Sequence, residues 1–420
     1  MKRIFALLLI VATVLVLMPA CADEEAVELV ESSEGLSFKL NEDEASYTLV
    51  GIGTCTAENV VIDGYEGYPV TEIAKSALAK AKNIKSITIG NSVTEVGEVA
   101  FYACEKLSSV NFGKSVTRIG KNAFEKCVSL ETIVIPDGIK EIAMRTFSGC
   151  TALKNVTIGK DVTDIRGYAF ENCTALNTVT IPAAVKYVRD YSFLGCTGLV
   201  EVINYSAVKI EKGSDKNGGI AYYALDVHVG ESKLVNKGDF VFYPGETNYL
   251  VEYTGNSAEV VLPDDFEGEA YAIAPYAFCD NTKISSVKLG KKTFAMGNNV
   301  FAGATALSKV DLGTEIIAIG AEAFSGCVAL DNIAIPESVQ GIGVGAFKNC
   351  TAIEEISITK NVKIIGKNAF EGCSGLKSAD FVEKTGWKAG GTEISAEDLA
   401  DKTKAAEYLT KTYLEESWGK

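Results

Sequence analysis

The 420-residue sequence holds a single histidine, His228. Any metal site with two imidazole ligands is thereby excluded, and only one imidazole base remains for a nucleophilic triad. Its setting, Val227-His228-Val229, reads as a strand position, so a solvated or core histidine is expected. Basic residues are scarce relative to acidic ones. Forty Lys and Arg stand against 55 Asp and Glu, the formal charge is −15, and no basic cluster interrupts it. Such a surface repels phosphate backbones, which excludes nucleic acid as a partner. No phosphate-binding glycine loop and no Gly-x-Ser-x-Gly elbow is found. The acidic run Asn41-Glu42-Asp43-Glu44 lacks the glycine and ligand spacing of a calcium loop and reads as a solvated turn. Long apolar runs are missing beyond the first residues, so no later segment is expected to span a bilayer. No catalytic centre, cofactor or metal site is legible, and the expectation is a protein that is not an enzyme.

The first residues read as an export signal. Lys2 and Arg3 precede an apolar run from Ile4 to Met18, short for a membrane span of roughly 20 residues. Ala20 and Ala22 form an A-x-A cleavage site. Removal of residues 1–22 would start the mature chain at Asp23 and bring the formal charge from −15 to −17. Met18-Pro19-Ala20-Cys21 also resembles a lipobox, although proline before the small residue fits poorly. A secreted or surface location is expected, with lipid anchoring at Cys21 as the alternative.

What is abundant is repetition. Phe101, Phe124, Phe147, Phe170 and Phe193 recur every 23 residues, with Leu78 one step before them. Phe278, Phe301, Phe324, Phe347 and Phe370 form a second series with the same step. Cysteines keep the phase at Cys104, Cys127, Cys150, Cys173 and Cys196, then at Cys327, Cys350 and Cys373. Within a unit the apolar positions are Leu130, Ile133, Ile135, Ile139, Ile142, Phe147 and Cys150. Ile133-Val134-Ile135 alternates as a strand does, and Pro136, Pro182, Pro336 or Gly113 ends it. One unit buries too little apolar area to fold alone, whereas stacked units turn each apolar position into a column. One parallel strand per unit is expected, near Ile87, Val110, Ile133, Val156 and Val179 and again near Val310, Ile333 and Ile356.

Blocks such as Ile119-Gly120-Lys121-Asn122-Ala123-Phe124-Glu125-Lys126-Cys127 followed by Leu130 resemble the BspA-like class of leucine-rich repeats, over roughly residues 36–382. The resemblance implies an α/β-type leucine-rich-repeat solenoid of parallel strands and adhesion to host proteins or other cells. The sequence departs from the common leucine-rich pattern in having no Asn ladder; Ser115 stands at that phase, and the Cys column is read as its substitute. The 23-residue step is no metal or redox spacing, and equivalent side chains point the same way, so free buried thiols are expected. Serine at Cys127 is expected to find no hydrogen-bond partner.

The expected organisation is a signal peptide at 1–22, a β-hairpin lead-in or cap at 23–77, and repeat block A at 78–200. An irregular waist with a second hairpin follows at 201–277, then block B at 278–382 and a helical cap at 383–420. Residues 239–277 resemble 38–77, with Tyr249 matching Tyr47. A single superhelix with an insertion is favoured, with separate blocks as the alternative. In the last segment Ser395 and Asp401 suit helix N-caps, Leu399, Ala406, Leu409 and Tyr413 recur at helical spacing, and Trp387 and Trp418 flank it.

Two surfaces qualify for a partner. One is the polar strand face, with columns Ser86, Ser109, Thr132, Asn155, Thr178 and Thr88, Asn111, Val134, Thr157, Thr180. The other is Tyr168, Tyr187 and Tyr191 beside Arg166 and Arg189, with Tyr205, Tyr222, Tyr223 and Tyr243 following. Tyrosine and arginine are enriched in binding hot spots. Unless Asp164 or Asp190 neutralises the arginines, this second patch is expected to be basic; Tyr222 and Tyr223 could instead pack the waist onto the solenoid. The expected partner is a protein or glycan at the cell surface or in the host matrix. The rivals are a carbohydrate-binding module, a structural scaffold and an unrecognised hydrolase.

Overall fold

The computed structural model describes residues 29–420. The signal segment, its A-x-A site and Cys21 lie outside the described residues. The chain divides into two compact units, Met1–Ser232 and Lys233–Lys420. Each has its own apolar core, running from Leu36 to Ala224 in the first and from Phe242 to Trp418 in the second.

The repeat becomes a parallel-strand solenoid because each unit reproduces the hydrogen bonds of its neighbour. In the first unit Asn59–Ile62, Ser86–Ile89, Ser109–Asn111, Thr132–Val134 and Asn155–Thr157 pair in parallel, and equivalent residues oppose one another 23 or 27 positions apart. Thr178–Ile181 pairs with Glu201–Asn204 and that strand with Asp226–His228, so parallel pairing continues into the expected waist. In the second unit Glu259–Val261, Ser286–Lys288, Lys309–Asp311 and Asn332–Ile333 do the same. All the expected strand centres lie in strands.

One strand per unit was too few. A second column of two-residue strands runs through Glu95–Val96 and Arg118–Ile119, then Glu141–Ile142, Asp164–Ile165 and Tyr187–Val188. Its counterparts in the second unit include Ala318–Ile319, Gly341–Ile342 and Ile364–Ile365. Each contributes a single buried apolar residue, such as Ile142 or Ile165, which is too short a run for alternation to betray it. The third side of each repeat is a series of turns; helices of α type are confined to Ala396–Ala400 and Lys402–Glu407 among the described residues.

Both hairpins form: Ser37–Leu40 pairs antiparallel with Tyr47–Gly51, and Phe240–Tyr243 with Asn248–Tyr253. At the C-terminus Ser395 caps the first helix by accepting from the Asp398 N–H, and Asp401 caps the second through Thr403 and Lys404. Trp418–Gly419 pairs with Ile364–Ile365 and with Lys388–Ala389, covering a sheet edge that would otherwise offer unpaired backbone groups.

Inside, the phenylalanines stack. Centroid separations from Phe101 to Phe193 run from 5.0 to 5.6 Å with nearly parallel planes, and a second stack runs from Phe278 to Phe370. The cysteines build a ladder beside them. Cys127 Sγ donates to the Phe101 carbonyl at 3.2 Å, Cys150 to Phe124 at 3.2 Å and Cys350 to Phe324 at 3.1 Å. The Phe124 carbonyl also accepts the Cys127 N–H at 3.2 Å, so one oxygen ties its own turn and the next unit together. A serine at Cys127 therefore does meet a partner, contrary to expectation, although the shorter C–O bond holds its hydroxyl farther from that carbonyl. All ten described cysteines are free.

The turns impose a second regularity. Two residues per unit sit in the left-handed backbone region, the first at Ser76, Val99, Asn122, Arg145, Tyr168 and Tyr191, then at Tyr276, Asn299, Glu322, Gly345 and Asn368, and the second four residues later, as at Lys80, Lys126 and Asn172. Asparagine and glycine tolerate this conformation; β-branched or bulky residues are strained by about 1 kcal/mol or more.

Two outcomes follow. Replacing Val99, a β-branched residue at φ +60°, by asparagine is expected to stabilise the protein by about 1 kcal/mol. Chemical denaturation measures this, and a loss of stability would contradict the strain argument. Burial pushes the Cys104 thiol up to about 11 and those of Cys150, Cys327 and Cys373 up to about 12. Unfolded thiols titrate near ~8.5, so above that pH the unfolded chain sheds protons that the folded chain keeps. The contribution of these thiols is complete below pH ~8.5 and is lost as pH rises toward the folded values. Native protein should resist thiol reagents at pH 7, react fully once unfolded, and show a lower urea midpoint at pH 10 than at pH 7. Rapid labelling of the native ladder, or disulfide-linked neighbours such as Cys127 and Cys150, would contradict this.

Candidate functional site

Tyr168 and Tyr191 occupy the same left-handed position in adjacent repeats, at φ +61° each. The repeat stacks whatever it displays at equivalent phases, and the two rings lie 5.2 Å apart at 23°. Arg145, one unit earlier at the same position, places its guanidinium 4.3 Å from the Tyr168 ring. The row is thus Arg145, Tyr168, Tyr191. Arg145 also forms an ion pair with Glu171 at 2.7 Å. The sequence offered no sign of Arg145, because a left-handed arginine has no signature apart from its repeat phase.

Tyr187 lies on the neighbouring short strand with Arg189 over its ring at 4.2 Å. Here the expected basic patch is not found. Asp164, largely buried between the two arginines, takes Arg189 through two guanidinium nitrogens, the shorter contact 2.7 Å, and Arg166 at 3.4 Å. Arg166 also meets Glu141 at 2.6 Å. The arginines are therefore neutralised and held in place, and they brace the tyrosines more than they project charge.

Two adjoining clefts flank Tyr191. One, about 550 Å³, is lined by Met144, Tyr168, Lys186, Tyr187, Arg189 and Tyr191, among others. The second, about 520 Å³, lies between Asp190–Gly195 and the loop bearing Asp215, Gly218, Tyr222 and Tyr223. That loop continues the turn column with three extra residues. Phe193 N–H donates to the Gly218 carbonyl as Phe170 N–H donates to Ser192, and Asn217 supplies the next left-handed residue. Gly218 is at φ +68°, and a Cβ there would lie 2.0 Å from Ser192 Oγ, so only glycine lets the loop close so tightly.

Tyr191 and Tyr222 are each 53% exposed and Tyr187 52%. Tyr222 therefore does not pack the waist onto the solenoid; it meets Tyr223 edge to face at 4.9 Å. Tyr205 stands apart from both clefts and donates its hydroxyl to the Gly230 carbonyl at 3.0 Å. Tyr243 is buried in the second unit. The polar strand face is present as read: Thr132, Asn155 and Thr157 are exposed, and Val134 is 61% exposed at its centre.

His228 Nε2 lies 3.0 Å from Glu201 Oε1, and the hydroxyls of Thr178 and Ser232 converge on the other carboxylate oxygen. Glu201 is fully buried, so these contacts satisfy a carboxylate that would otherwise be costly to enclose. Among the described residues no group of three or more His, Cys, Asp and Glu is placed to hold a metal ion, and no helix is long and apolar enough to cross a membrane.

Similar solved structures include a leucine rich cell surface protein from Faecalibacterium prausnitzii, at 23% identity over 86% of this chain and 96% of that one, with a TM-score of 0.37. A leucine rich repeat protein of T. pallidum matches at 30% identity over 40% of this chain and 79% of its own, with a TM-score of 0.39. A leucine-rich repeat protein from Bacteroides ovatus matches at 21% identity over 83% and 93%, with a TM-score of 0.31. No curated protein matches. The family model for the BspA type leucine rich repeat region matches residues 71–200 and 252–385, more than half of the chain, in six copies. Together with the stacked parallel strands, this places the protein in the BspA type leucine-rich repeat family.

Proposed function

We propose that the protein is an exported, non-catalytic binding protein of the bacterial surface, and that it engages a protein partner through the aromatic face around Tyr168, Tyr187 and Tyr191. Arg145, Arg166 and Arg189 belong to this face as braces. Residues 1–22 would serve as the export signal, with Cys21 as the alternative anchor. Adhesion to host matrix or to other cells is the role this would serve.

The observation that carries the reading is the stack of half-buried Tyr168 on exposed Tyr191, both held in left-handed backbone, with Tyr191 lining two clefts and Tyr168 one of them. A folding requirement alone would favour asparagine or glycine there, as at Asn122, Asn299, Gly345 and Asn368. Two large aromatic rings at strained positions fit a surface retained for contact, since strained residues concentrate at functional sites. Tyrosine suits a protein interface because it gives wide apolar contact with a polar end.

The test begins with capture of ligands from host matrix proteins, run beside a glycan array. A protein ligand is expected, and binding to glycans alone would favour a carbohydrate-binding module. Tyr168→Ala combined with Tyr191→Ala should then weaken binding by at least about 2 kcal/mol, roughly 30-fold, with the solenoid still folded by circular dichroism. Unchanged affinity in the folded double variant would move the site to the polar strand face around Thr157 and Thr180.

A further inference from the structure

After Tyr191 the row Arg145, Tyr168, Tyr191 passes to Asn217, which donates its side-chain amide to the Lys209 carbonyl, so the aromatic part of the row ends at Tyr191. A guanidinium covers one end at 4.3 Å from the Tyr168 ring, and the two tyrosines stack at 5.2 Å. Tyr191 lines the second cleft, which Tyr168 does not. No cation of the protein lies over Tyr191 or Tyr222 among the described residues, whereas Tyr168 and Tyr187 each carry an arginine of their own. The same cleft is lined by two carboxylates, Asp190 and Asp215, and by no basic residue. Neither carboxylate forms an ion pair among the described residues, although Lys212 and Lys216 stand on the same loop outside the lining.

We infer that this cleft receives an arginine side chain of a protein partner, packed against Tyr191 and Tyr222 where they line it, with Asp190 and Asp215 supplying the counter-charge. The inference rests on the binding role proposed above for the Tyr168–Tyr191 face and specifies what that face takes. A guanidinium is favoured over an ammonium because it is planar, weakly hydrated and stacks on aromatic rings, which the protein already does twice within this patch. Electrostatic attraction to the ring face and to the carboxylates acts in the same direction. The cleft's volume of about 520 Å³ accommodates one such side chain with part of its backbone.

The experiment uses the full chain labelled with ring-¹³C tyrosine and two probes, N-acetyl-arginine amide and its neutral isostere N-acetyl-citrulline amide. The arginine probe is expected to shift the Tyr191 and Tyr222 resonances saturably, and the citrulline probe at least about 5-fold more weakly. N-acetyl-lysine amide should fall between the two. Asp190→Asn with Asp215→Asn should weaken arginine binding at least about 5-fold, and Tyr222→Ala, which leaves the Tyr168–Tyr191 stack in place, should do the same. Both substitutions fall on exposed side chains, and unchanged far-ultraviolet circular dichroism confirms that the variants are folded. Equal shifts from arginine and citrulline, or arginine binding undiminished in the double Asn variant, would overturn the inference. If the captured partner loses affinity for Tyr168→Ala with Tyr191→Ala but not for Tyr222→Ala or the double Asn variant, the arginine cleft falls while the binding face stands. If none of these variants affects the partner, both fall.

Discussion

Everything in this molecule depends on register between neighbouring repeats. The carbonyls of Phe101, Phe124, Phe147, Phe170, Phe324 and Phe347 each accept their own turn's Cys N–H and the thiol of the next unit, and the N–H of each donates forward to a carbonyl of that next unit, as Phe124 does to Thr146. A slip of one residue would turn Ile133 and Ile135 out and Val134 in, and would break the Phe and Cys columns together. The 23-residue step is therefore a hydrogen-bond constraint as well as a packing one. Each fully buried phenylalanine contributes about 1.5–3 kcal/mol from burial, but the gain is realised only if the next ring lies above it. The thiol suits this position because it is small and apolar enough for the core and still donates weakly to a carbonyl.

The same register creates the candidate site. Because the left-handed turn position recurs at one phase, whatever side chain occupies it is projected into a straight row about one strand spacing apart. Asn122, Asn217, Asn299, Gly345 and Asn368 are suited to this backbone; Tyr168 and Tyr191 place aromatic rings there instead. The rings must then stack, and their rigidity comes from the solenoid rather than from their own contacts. The three extra residues before Asn217 and Gly218 bring in a loop that bears Tyr222 and Tyr223, and this makes the second cleft. Asp164 locks Arg166 and Arg189 against the patch, so the face that remains is aromatic and close to neutral at that end.

Much of this was legible in the sequence. The Phe and Cys spacings located the stacked columns, the alternation at Ile133-Val134-Ile135 located the main strands, and Ser395 and Asp401 marked both helix starts. Tyr168, Tyr187 and Tyr191 were legible as tyrosines at non-core phases, with Tyr168 and Tyr191 at equivalent ones. What was not legible has physical causes. Two-residue strands such as Glu141–Ile142 carry no alternation. The sign of the patch depended on where Asp164 points, which a one-dimensional pattern of mixed charges does not encode. Arg145 was missed because it sits one unit away from the tyrosine it covers. The partner of each Cys thiol, a carbonyl 26 residues earlier, follows from stacking and not from any local motif.

The central claim is that the tyrosine face of the first unit, and not the polar strand face, meets the partner. Hydroxyl-radical footprinting of the full chain, with and without the captured partner, reads tyrosine side chains directly. Oxidation of Tyr187, Tyr191 and Tyr222 is expected to fall on binding while exposed Tyr68 stays as reactive as before. Unchanged reactivity at those three residues, with protection elsewhere in the chain, would contradict it.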